Sequence, residues 1–153
     1  MSADTYRRAV HVAQGTPLTE NDLRRMNAHG SWPRIAGGLQ YLYDHIHQVP
    51  AIVIPAVEGR TDHASVTEQA GTWGSILPAV WSFMLAARAR ARGLGTVWTT
   101  AQAPLERGLA AVLGVPYDDI MLAAFIPLAF TVGTDLRPAK RVSRDQVLHW
   151  NRW

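Results

Sequence analysis

Apolar positions along the chain fall into distinct periods. Ile35, Leu39, Leu42, Tyr43 and Ile46 recur at three- and four-residue spacing, which predicts an amphipathic helix running to about His47. Ala51 to Val57 is a short apolar run between Pro50 and Gly59, the pattern of a buried strand. From about Ile76 to Arg92 the pattern is helical again. Ser75 is placed to cap this helix, Pro78 falls in the first turn, where a missing N–H costs little, and Gly93 suits a left-handed end. Its centre (Val80, Trp81, Phe83, Met84, Leu85, Ala86, Ala87) is apolar on every side. Such a helix has to be buried all round, so it is expected at the centre of the fold and partly against a second subunit.

The remaining stretches complete an alternating order. Asp4 to Ala13 predicts a short helix, and Thr19 with Asp22 resembles a capping box opening another to about Met26. Glu58 to Gly71 is polar and aperiodic, hence a loop. Thr96 to Thr100 is β-branched enough for a strand. Leu105 to Leu113 is helical up to Gly114 and Pro116, and Ile120 to Val132 is a long strand candidate before a Gly133-Thr134-Asp135 turn. Leu136 to Trp153 has no period and reads as an extended tail that packs on something. Helices and strands alternating in this way predict an α+β or α/β domain with helices around a single central sheet.

Composition narrows this little further. At 153 residues, 48% hydrophobic and 18% charged, the chain is expected to form one globular domain, residues 1–153. Lysine and arginine total 15, Lys140 being the one lysine, and the formal net charge is +3. The arginines lie in scattered pairs such as Arg7/Arg8 and Arg24/Arg25, not in a stripe with interleaved aromatics, which argues against nucleic-acid binding. With no cysteine, disulfides, thiol catalysis and cysteine-ligated metal are excluded. No charged-then-apolar leader opens the sequence, and the apolar stretch from Ile76 to Ala87 falls short of the roughly 20 residues that span a bilayer. A cytoplasmic protein without membrane contact is expected.

Gly74 to Thr100, GSILPAVWSFMLAARARARGLGTVWTT, closely resembles the central helix, glycine turn and strand of the FMN-dependent nitroreductase family. Ala123 to Arg141, AAFIPLAFTVGTDLRPAKR, resembles the same family's proline-bearing strand, Gly-Thr-Asp turn and basic exit. The stretch from Tyr41 to Pro55 and the ending HWNRW (His149 to Trp153) fit alongside, in order and with consistent spacing. The resemblance implies a homodimer with FMN at its interface, two-electron transfer from NAD(P)H, and a C-terminal tail extended onto the dimer partner. It also implies that the strand after the Gly-Leu-Gly turn lays its backbone beside the flavin ring, which maps onto Trp98, Thr99 and Thr100. N–H donors fixed there would stabilise the negative charge of a reduced ring. The basic pair Lys140 and Arg141 maps onto the grip on the FMN phosphate, with Arg141 the stronger candidate because guanidinium suits bidentate phosphate contacts. The family's opening flavin-binding segment has no counterpart here, since the sequence begins beyond that point.

Each of these residues has a plainer reading when taken alone. Trp98 would be core, Thr99 and Thr100 ordinary strand formers, and Lys140 and Arg141 solvated tail charges. Arg88, Arg90 and Arg92 suit the C-terminus of a helix. His45 and His47 with Asp44 suggest a metal, but positions two apart point to different helix faces, so none is expected. The resemblance thus leads to an NAD(P)H:FMN oxidoreductase acting on nitroaromatics, quinones or similar acceptors, with no side chain assigned as acid or base. The alternatives are a non-catalytic flavin-binding or dimer-partner protein, and a degenerate truncated family member.

Overall fold

The computed structural model describes residues 32–90, 93–100, 103–133, 138 and 141–153. The expected helices at Asp4–Ala13 and after Thr19, and Lys140, lie outside these residues. Helix α1 spans Trp32–His45 and passes into a 3-10 turn, Ile46–Gln48. Then follow β1 (Ala51–Val53), β2 (Ala56–Glu58), α2 (Val66–Arg90), β3 (Leu94–Thr96), α3 (Glu106–Leu113), β4 (Ile120–Leu122) and β5 (Ile126–Phe130). The class is α+β, as the patterning implies.

In place of one central sheet, the strands form two small antiparallel ones, β1-β5-β3 and β2-β4. Their registers show that both belong to one ribbon with a fault in it. Val53 faces Ile126 in the first sheet and Ala56 faces Leu122 in the second, so the two residues Ile54 and Pro55 lie opposite the three residues Ala123, Ala124 and Phe125. One extra residue on one side is a β-bulge. Pro55 cannot donate to a ladder, but its carbonyl still accepts from the Ala123 N–H at 2.8 Å. The long strands expected over Ala51–Val57 and Ile120–Val132 are therefore each split.

The bulge changes which side chains share a face. In an unbroken strand residues three apart point to opposite sides. Here Leu122 and Phe125 enter the same core, with Ile46 and Leu109, while Ala124 and Ile126 enter another with Val80. A second fault lies along β3. Its register on β5 sets Thr96 against Leu128, and the same register reappears at the isolated pair Thr99–Phe125. Between them it would place Val97 opposite Pro127, which has no N–H to give. One rung is lost there, so the strand expected over Thr96–Thr100 is Leu94–Thr96 plus a single pair at Thr99.

Helix α2 differs most from the sequence reading. It is 25 residues long and begins at Val66, inside the expected loop. Ser65 caps it: its Oγ accepts from the Glu68 N–H at 3.3 Å, and the Glu68 carboxylate accepts from the Ser65 N–H at 2.8 Å. The Ser65 hydroxyl, donating to the Glu68 carboxylate at 2.6 Å, and then the Ser65 N–H hold that carboxyl below its ordinary range. Pro78 consequently sits in the helix interior, where one hydrogen bond is missing. By length and composition alone this helix could cross a bilayer. One of its stripes, Ile76, Val80 and Met84, packs on Ala124 and Ile126. The rest is not buried all round within the single chain: Trp81 is 56% exposed and Leu85 55%.

The helices on either side are shorter. α3 ends as expected at Gly114, whose φ of 69° is left-handed. The tail makes a 3-10 turn at Arg144–Gln146, and Trp150 and Trp153 are 77% and 100% exposed. The chain returns from α2 through Gly93, at φ 84°, and its carbonyl accepts from both the N–H and the hydroxyl of Thr131. A Cβ on Gly95 would strike the Thr131 methyl. Gly95→Ala should therefore cost about 1–3 kcal/mol of stability by overpacking, measured by urea unfolding. Adding Thr131→Ser, which removes that methyl and keeps the hydroxyl, should restore most of the loss. No recovery in the double variant would locate the cost in the backbone of Gly95 instead.

Candidate functional site

A cleft of about 380 Å³ opens where α2, the segment after β3, and the start of α3 meet β4. This is within the usual range of small-molecule sites. Trp73 and Leu77, one turn apart on α2, form one wall; Trp98, Thr100 and Met121 form others. Arg60, Asp62 and Glu106 make its polar end.

That polar end is a closed knot. Arg60 Nε donates to Asp62 Oδ2 at 2.7 Å, Nη2 to Glu106 Oε2 at 2.9 Å, and Nη1 to the Tyr117 carbonyl at 2.9 Å. Its guanidinium lies 3.9 Å from the Tyr117 ring centre, and Arg107 lies 4.1 Å from the same ring. Glu106 Oε1 in turn accepts from the Leu122 N–H at 2.6 Å. The Arg60 and Glu106 side chains are 16% and 13% exposed, so this pair is largely withdrawn from water. Its hydrogen bonds to Glu106 and then Asp62 raise the affinity of Arg60 for its proton, while Arg60 holds the Asp62 carboxyl below its ordinary range. On the other side of Arg60 a wider hollow of about 860 Å³ is bordered by Asp62, His63, Glu68 and the exposed pair Arg107–Asp118.

Trp98, Thr99 and Thr100 have three different environments. Trp98 is half-buried, packs on the core of Val80, Ala124 and Ile126, and lines the cleft. Thr99 is buried, and its backbone is fully engaged with Phe125: its N–H donates to the Phe125 carbonyl at 3.1 Å and its own carbonyl accepts from the Phe125 N–H at 3.0 Å. Its hydroxyl also donates to that carbonyl, at 2.9 Å. In an extended chain the amides on either side of such a pair point away from the partner. The N–H groups of Trp98 and Thr100 thus face outward from β5, on the sheet's edge strand. Thr100 is exposed, lines the cleft, and its carbonyl accepts from the Ala103 N–H at 3.0 Å.

Arg141 is exposed and borders neither hollow. His45 is taken up locally, with Nδ1 2.8 Å from the Tyr41 carbonyl and its ring stacked on Tyr41. Among the described residues no three His, Cys, Asp or Glu side chains gather to hold a metal.

Arg60, Glu106 and Tyr117 went unseen in the sequence. Arg60 stands in what read as a polar loop, and its carboxylate partner is 46 positions away, so no local signal joins them. The residues present fit the ring of a flavin: two outward N–H groups lie next to a slot with aromatic and aliphatic walls. A phosphate is not answered there, because the one cation among the cleft's described residues is already held by two carboxylates.

The family model described as Nitroreductase family matches residues 6–133. No curated protein and no solved structure matches the chain. The matched segment contains Trp98 to Thr100 and the whole Arg60–Glu106 knot, and it stops before Lys140, Arg141 and the tail.

Breaking the knot should be costly. Glu106→Ala leaves a part-buried guanidinium and the Leu122 N–H short of an acceptor, and should lose about 2–4 kcal/mol in urea unfolding. Arg107→Ala, which loses only an exposed ion pair and its contact with the Tyr117 ring, should cost less than about 1 kcal/mol. Equal small effects would show the Arg60–Glu106 pair to be idle.

Proposed function

Because the chain belongs to the nitroreductase family, we propose that it is an FMN-dependent oxidoreductase that draws electrons from NAD(P)H and delivers them to a nitroaromatic, quinone or similar acceptor. Members of the family generally use flavin cofactors, so membership itself points to a flavin-dependent oxidoreductase. The observation that carries the finer reading is the outward amide edge at Trp98 and Thr100 beside a slot of small-molecule size. When bound, the flavin would supply the redox chemistry by accepting a hydride at N5 and passing it on. The chain's part is to fix two N–H donors where charge develops on the ring, with no reorganisation needed at that moment. Thr99 makes this possible by holding the segment to Phe125 from behind.

The phosphate falls to groups outside the cleft, and Arg141, with Lys140, is assigned that role on the family resemblance. Arg141→Ala should then weaken FMN binding by about 10- to 100-fold, the worth of one charge-assisted contact. Titration by quenching of FMN fluorescence measures it. Equal affinity of the two proteins would remove Arg141 from the site. Tight FMN binding without any NAD(P)H oxidation would favour the second reading, a non-catalytic flavin-binding or dimer-partner protein. The neutralised state of Arg60, which leaves no free cation among the cleft's described residues, is the observation on that side.

A second copy of the chain is part of this proposal. Trp81 and Leu85 lie one turn apart on α2 and are more than half exposed, as are Trp150 and Trp153 in the tail. Burying a large apolar side chain stabilises by roughly 1.5–3 kcal/mol, so these groups together can hold a dimer. Sedimentation at micromolar concentration should show a dimer, and deleting His149 to Trp153 should weaken association while leaving the far-UV spectrum of the chain unchanged. A folded, stable monomer at that concentration would contradict the reading.

A further inference from the structure

We propose that the cleft beside Trp98, with the flavin ring seated along its amide edge, selects in the space that remains flat aromatic acceptors that are neutral or cationic, and turns away those carrying a carboxylate or sulfonate. Its walls come from Trp73, Leu77, Trp98 and Met121, which offer ring faces and aliphatic surface to a planar ligand. The selection arises at the other end. Arg60 would ordinarily invite an anion, because guanidinium presents a fork of donors to carboxylate. Here all three of its nitrogens already donate, to Asp62, to Glu106 and to the Tyr117 carbonyl. One cation between two carboxylates leaves the polar end with a formal charge of −1. Asp62 is half-exposed, so its charge reaches an incoming ligand, whereas Glu106 is largely withdrawn. Arg60 lowers the proton affinity of Asp62, which keeps the Asp62 carboxyl charged throughout the neutral range.

An anionic acceptor thus meets a like charge, and a guanidinium already bound to two carboxylates. A neutral one meets only the apolar walls, and an ammonium group gains Asp62. That the ligand is an electron acceptor rests on the oxidoreductase reading above; the order of affinities does not.

Calorimetric titration of the purified chain without NAD(P)H, run both with and without saturating FMN, separates the two, and the order should hold in both. Three probes share one ring and differ in charge: 4-nitrobenzyl alcohol, 4-nitrobenzylamine as its ammonium, and 4-nitrobenzoate. The alcohol should bind roughly tenfold more tightly than the benzoate, the ammonium at least as tightly as the alcohol, and the spread should shrink as salt rises. Asp62→Asn, a change of charge at nearly constant shape, should close most of the gap between alcohol and benzoate. Ala103→Trp, which fills the cleft, should abolish binding of all three. Equal affinities, a preference for the benzoate, no binding of the alcohol and ammonium, or binding that survives Ala103→Trp in a folded variant would each overturn the proposal. A chain that shows this order yet oxidises no NAD(P)H in the presence of FMN would keep the inference and lose the oxidoreductase reading. Turnover with no charge preference would do the reverse.

Discussion

Between Leu122 and Phe125 the chain carries one residue more than the strand it faces, and the consequences reach every part of the molecule described. The extra residue turns Leu122 and Phe125 into a single core beneath α1 and α3, and leaves Ala124 and Ile126 for α2. Phe125, which no longer faces β1, pairs with Thr99 along the other edge. That pairing holds the segment after β3 from one side alone, and Pro127 prevents the ladder from closing over the residues between. The edge left free is the one proposed to meet the flavin. A regular ribbon at this place would have put Leu122 and Phe125 on opposite faces.

The second organising contact is electrostatic and lies across the same region. Arg60, just beyond β2, reaches Glu106 at the start of α3, and Glu106 reaches the Leu122 backbone. Strand, helix and loop are tied by one guanidinium and one carboxylate whose burial makes each depend on the other. The tie keeps the cleft's polar end in shape and at the same time uses up its only described cation. A site built this way is apolar along its walls and slightly negative at one end.

Much of this was legible wherever the signal was local. Gly114 ended α3 and the spacing of Leu42, Tyr43 and Ile46 gave α1, because capping and helical period act within one or two turns. The capping box Ser65-Val66-Thr67-Glu68 is equally local but lies inside a polar stretch, so the apolar pattern alone starts α2 ten residues late, at Ile76, and sets Pro78 in a first turn it does not occupy. The split strands were foreshadowed by Pro55 and Pro127, but which residues would be left over depended on the partner strand, and register cannot be read from one strand. The Arg60–Glu106 pair was out of reach for the same reason. For the candidate site, Trp98 and Thr100 were found through family resemblance, and the division of labour that sets Thr99 apart from them follows from pleat geometry once Phe125 is in place.

The account turns on the claim that the backbone edge at Trp98 and Thr100 receives the flavin ring while Thr99 is already engaged. Residue-resolved amide hydrogen exchange, with and without saturating FMN, tests this directly. The Thr99 amide should be protected in both states through its bond to Phe125, and the Trp98 and Thr100 amides should gain protection only when FMN is added. Bound FMN with Trp98 and Thr100 exchanging at unchanged rates would contradict the account.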